Sequence, residues 1–161
     1  MYGRYLTQPI ELKFCIEKES LGPFQSARSV NFDALGDSIV TINPLNSFKD
    51  VQQFINGVLS QNNEQGGLTF SPHKAFWSTL TYDQFVNGNV PGVTDPRTGN
   101  PMPVLVKGNS AQSNLILALQ GSGPVFGQNG AIRQMPANGP PYFSVDQIAS
   151  IAAWIDRGCP Q

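Results

Sequence analysis

Residues 10–17 alternate strictly, with Ile10, Leu12, Phe14 and Ile16 on one side and Glu11, Lys13, Cys15 and Glu17 on the other. A period of two places successive side chains on opposite faces, so this run predicts a half-buried strand. Shorter β-like runs follow at Val30–Phe32 and Ser38–Ile42. Residues 1–46 are therefore expected to form a small β-containing extension.

From Ser47 onward the apolar period becomes helical. Ser47 reads as an N-cap with Asp50 three residues on, followed by Phe48, Val51, Phe54, Ile55, Val58 and Leu59 on one face. Gly57 inside this helix either weakens it or permits a close crossing. A second, short helix opens with the capping box Thr81 and Gln84 and stops near Gly88. A third is expected from an N-cap at Ser110 through Leu115, Ile116, Leu117 and Leu119 to Gly121. The fourth carries the strongest pattern: Ser144 and Gln147 form a capping box, Val145, Ile148, Ala149, Ile151, Ala152 and Ile155 form a stripe, and Gly158 and Pro160 end it. This last helix is expected to pack on the first, with Gly57 at the crossing. Between the helices, Asn89–Pro103 and Ser122–Pro141 are dense in Gly, Pro and Asn and read as long irregular loops. Such loops are uncommon in compact domains unless they carry function or clasp a ligand.

Composition narrows the function classes. Of 161 residues, 40% are hydrophobic and only 13% charged, with 16 Gly and 13 Pro, which fits a compact, loop-rich globule. The formal net charge is −1 and the Lys and Arg residues are scattered singly, so no basic face for nucleic acid is expected. No apolar run approaches a membrane span, and the first residues lack the apolar core of a signal peptide. A cytoplasmic location is expected, or a periplasmic one if a leader has been removed. Cys15 and Cys159 form no CxxC pair, so a Cys-rich metal site is not expected. They are either two separately buried thiols or a disulfide joining the N-terminal segment to the last helix. With one histidine, two distant cysteines and no paired carboxylates at useful spacing, no nucleophile–base arrangement, phosphate loop or metal cluster is legible. Gly121-Ser122-Gly123 is too short to count as one. The chain does not read as an enzyme.

One family resemblance is carried by particular residues. Arg133-Gln134-Met135-Pro136, then Ser144-Val145-Asp146-Gln147-Ile148 and Ala153-Trp154-Ile155-Asp156-Arg157-Gly158, resemble the Met-Pro loop and terminal "WI-x-x-G" helix of bacterial class I cytochromes c. Lys107-Gly108-Asn109-Ser110 through Ser113-Asn114-Leu115 resembles the segment opening the third helix of such domains. The resemblance covers residues 47–161 and implies a mainly α fold: a cytochrome c-like bundle of short helices with long Gly/Pro loops behind the β-containing extension.

The departure from that family lies at the haem attachment site. A c-type domain needs Cys-x-x-Cys-His, two thiols for thioethers and a histidine for the iron. Here the corresponding stretch is Thr69-Phe70-Ser71-Pro72-His73, which cannot form a thioether. The expected function is accordingly that of a haem-free interaction module, an accessory subunit or partner-binding protein without a cofactor. In that reading Phe76 and Trp77 fill the space of the missing haem, and the partner, a protein, meets the two long loops at Met102, Phe126 and Arg133. The alternative is an electron-transfer or sensor protein that binds haem noncovalently, with His73 and Met135 as the axial pair the resemblance implies.

Overall fold

In a computed structural model the described residues are 30–32, 38–40, 43–62 and 71–161. The alternating run over residues 10–17, with Cys15, lies outside them, as do Thr69 and Phe70. The chain divides into two units, residues 1–41 and 42–161. In the first, β1 (Val30–Phe32) pairs antiparallel with β2 (Ser38–Val40), Val30 facing Val40 and Phe32 facing Ser38.

The C-terminal unit runs α1 (Phe48–Gln61), α2 (Phe76–Thr79), α3 (Tyr82–Asn87), β3 (Asn89–Thr94), β4 (Pro101–Pro103), α4 (Asn114–Gln120) and α5 (Val145–Asp156). The three capped starts form as their local sequences dictate. Ser47, Thr81 and Ser144 each accept a hydrogen bond from the backbone N–H three residues on, and the side chains of Asp50, Gln84 and Gln147 accept in return from the cap N–H. The third expected helix is split instead. Ser110–Gln112 is a 3-10 turn capped by Asn109, and α4 begins only after Ser113. Ser113 makes no cap bond to its own helix because its buried hydroxyl is taken: it accepts from Val106 N–H at 2.9 Å and lies 2.8 Å from the Asn109 carbonyl.

The unit is mixed α/β, not the mainly α bundle expected. The stretch Asn89–Pro103, read as irregular, is an antiparallel hairpin of β3 and β4, with Asn89 opposite Pro103 and Thr94 opposite Pro101. Proline masks strands because it removes a ladder donor, yet each strand of a two-stranded ribbon has a free edge on which that loss is harmless. Pro91, Pro101 and Pro103 occupy such a ribbon. The register slips between the two pairs, and Gly92 lies in that irregular stretch at φ +68°, a backbone that L side chains seldom adopt. The connecting turn is closed by Asp95, whose carboxylate accepts from the Arg97 backbone N–H at 2.8 Å and from its guanidinium at 2.7 Å.

Helix α5 packs on α4 and on the 3-10 turn, where Asp156 accepts from the Ser110 backbone N–H and hydroxyl. It meets α1 through stacked Phe48 and Trp154 rings, 6.4 Å apart. Gly57 is not at that contact: it is exposed, and a Cβ there would meet no atom within 4 Å. Val145, placed on the expected stripe, is 82% exposed.

The apolar interior forms two clusters. The larger joins α1, α2, α3, α4 and α5, with Val51, Phe85, Ile151, Trp154 and Ile155 fully buried. The smaller consists of Met102, Val125 and Phe126, with Val93, Leu117, Ala118 and Ile132 against them.

Candidate functional site

A cleft of about 690 Å³ is lined by both clusters. Ile55, Leu59, Phe76, Trp77, Leu119 and Phe143 line it from the larger cluster, and Met102 and Phe126, with Val93, Ala118 and Ile132, from the smaller. Its size is that of a small-molecule site, which typically measures ~300–1,000 Å³ and is mostly apolar with a few polar groups.

The hairpin brings Val90, Val93 and Met102 to the cleft. Helix α4 is finished by Gly121 in the left-handed region, where a Cβ would strike the Gln134 side chain at 2.9 Å. Beyond it the chain loops out and returns, Phe126 bridging to Ile132, and is then fixed to the end of α4. Gln134 Nε2 donates to the Leu119 carbonyl and Met135 N–H to the Ala118 carbonyl, both at 2.9 Å. This return sets Met135 at the cleft.

His73 reaches the same cleft from the turn before α2. Its ring meets Phe76 edge-on at 5.6 Å, and Nδ1 lies 2.8 Å from the Lys74 carbonyl. A carbonyl only accepts, so Nδ1 carries the proton, and in the neutral ring Nε2 keeps a lone pair.

The residues singled out from the sequence thus fall into three sets. His73, Met102, Phe126, Arg133 and Met135 all line this one cleft. Met102 and Phe126, expected to be offered outward to a protein partner, are buried at 3% and 6% exposure, whereas Arg133 is exposed. Phe76 and Trp77, expected to fill the space of a haem, are buried in the core and wall the cleft without closing it. Cys159 is elsewhere, fully buried after α5 with Sγ 3.9 Å from the Ile155 carbonyl, and burial pushes its thiol above its ordinary pKa. Among the described residues no three His, Cys, Asp or Glu side chains gather into a metal site.

Sequence reasoning missed Val90, Val93, Ile132 and Phe143 as wall residues. Val90 and Val93 flank Pro91 and Gly92, which erase the alternation that marks a strand. Phe143 stands just before the Ser144 cap, a position the helical pattern does not reach.

Electrostatically the cleft is one-sided. His73 and Arg133 are the titratable groups among its described lining residues, and no acidic side chain is among them. Among the described residues no helix is long and apolar enough to cross a membrane. Compared with protein-family models, with curated proteins and with solved structures, the chain matches none.

Proposed function

We propose that the C-terminal unit is a noncatalytic binding module that takes an apolar small molecule into the cleft between its two clusters. The observation that carries this reading is the cleft itself: two sets of apolar side chains surround open space of small-molecule size instead of interdigitating. Apolar walls gain about 25 cal/mol per Å² when an apolar body removes them from water, so this surface favours an occupant. Met102 and Phe126, expected as anchors for a protein partner, belong to these walls.

The test is saturable binding of Nile red, a neutral apolar fluorophore, with one site per chain. Ala118→Phe, which adds a ring to a small position in the wall, is expected to abolish binding while leaving the helical circular dichroism intact. Unsaturable binding, or equal binding by the variant, overturns the reading.

A second reading is favoured by one observation, that His73 and Met135 line the same cleft. A nitrogen and a thioether fit the donor set of a haem iron; Met135 comes from a segment that resembles class I cytochromes c, and His73 from the stretch where the chain departs from them. Bound there without thioethers, haem would supply a redox-active iron held by His73 and Met135. Hemin titration is expected to give a Soret band that shifts in His73→Ala and Met135→Ala; a spectrum identical in all three proteins rejects this ligation.

A further inference from the structure

Arg133 belongs to two cavities at once. It lines the apolar cleft, and it also lines an adjoining groove built by the Gly121–Gly139 segment, with Gln128, Asn129, Gln134 and Tyr142. The side chain is exposed, and it makes no hydrogen bond or ion pair to any described residue. A guanidinium stays charged at any physiological pH and carries five donors in a planar fork that matches a carboxylate bidentately. No acidic side chain is among the described residues lining either cavity, so no described residue there answers that charge. An apolar chamber with an unanswered cation at its rim is complementary to an amphiphile of one sign.

The geometry points to a ligand with an apolar body and a carboxylate, the body in the cleft and the carboxylate on Arg133. This rests on the proposed binding function and specifies its ligand class. A neutral apolar molecule leaves the guanidinium to water and gains nothing from it. An acid exchanges that water for two parallel charge-assisted hydrogen bonds at the point where its body leaves the apolar walls. Neither protonation state of His73, the other titratable group among the described residues lining the cleft, opposes an anion. Two sources share this chemistry, an alkyl-chain acid and a porphyrin with its propionates.

The experiment is displacement of Nile red from the intact chain by matched pairs: dodecanoic acid against dodecanol, and metal-free protoporphyrin IX against its dimethyl ester. Using the metal-free porphyrin keeps iron ligation by His73 or Met135 out of the readout. In at least one pair the acid is expected to bind about fivefold tighter than its neutral partner, a modest factor because the guanidinium is exposed. Raising the salt concentration should shrink that advantage. Arg133→Gln should erase it by weakening the acid more than its neutral partner, and Arg133→Lys should restore part of it. The pair that shows the advantage identifies the source. Equal binding of acid and neutral partner in both pairs overturns the inference while leaving the binding function standing, as does an Arg133→Gln variant that weakens all compounds alike. Absence of a saturable Nile red site overturns both.

Discussion

The two apolar clusters are built from the same kinds of residue and both line the cleft, yet the larger also has a filled centre away from it and the smaller does not. In the larger, Phe85 sits among Phe48, Phe76 and Trp154 with ring centroids 5.0–6.4 Å apart, and Trp154, Ile151 and Ile155 are closed off from solvent. In the smaller, Met102, Val125 and Phe126 are buried on one side, while Val93 and Ile132 stay half-buried around a space. The difference lies in what carries the side chains. Helices with reciprocal caps can slide and tilt until ridges mesh. The smaller cluster hangs on a hairpin and on a loop whose path is fixed by close backbone contacts: a Cβ on Gly127 would lie 2.2 Å from the Gly121 carbonyl oxygen. A wall held by its own backbone cannot collapse to fill the gap in front of it, and that makes a cleft persist.

The sharpest way to break this comparison is a matched pair of truncations. Ile151→Ala, in the filled cluster, should cost about 2–5 kcal/mol in chemical denaturation, since it opens a hole that interlocked neighbours cannot close. Ile132→Ala, on the open side, should cost less than about 1 kcal/mol, because the side chain already faces vacant space on one side. Equal losses at the two positions would mean that the smaller cluster is as tightly packed as the larger.

A smaller effect is expected from the backbone that props the wall. Gly127→Ala puts a methyl group against the Gly121 carbonyl at a φ of +98°, and should cost about 1–3 kcal/mol, with a parallel loss of Nile red affinity. If stability falls while affinity holds, the loop does not shape the cleft. The smallest effect belongs to the filled side: Gly57→Ala in the exposed middle of α1 should stabilise by about 0.5–1 kcal/mol, visible as a raised melting temperature, because nothing obstructs the added methyl.

The same contrast explains which parts of the molecule were legible in advance. Ser47, Thr81 and Ser144 announce their helices because a capping box is a contract between residues three apart, complete within the local sequence. The hairpin was hidden because Pro91, Gly92, Pro101 and Pro103 are permitted there only by the absence of a neighbouring strand on the outer edge, which no local window contains. Losing the hairpin turned Met102 outward in the sequence reading and made the fold look mainly α. Gly57 misleads in the opposite way: a glycine in a helix suggests a close crossing, but its partner must come from elsewhere in the chain, and none of the described residues supplies one. The helical pattern around Ser110 predicts a helix cap there, whereas Asp156, far along the chain, claims its N–H and hydroxyl. His73 and Met135 were singled out through the family resemblance, and the return of the chain to α4 is what brings Met135 to the side of His73's cleft.

That return couples events that look separate. The Ala118 carbonyl accepts from both the Gly121 and the Met135 N–H, and the Leu119 carbonyl accepts from Gln134, so the last turn of α4 and the segment carrying Met135 share their bonds. Unwinding either releases the other, which makes them one cooperative opening unit. The amides of Gly121 and Met135 should therefore exchange with solvent deuterium at a common rate, far from each other in sequence though they are. An occupant of the cleft would slow both together, so that two amides distant in sequence would report on one molecule.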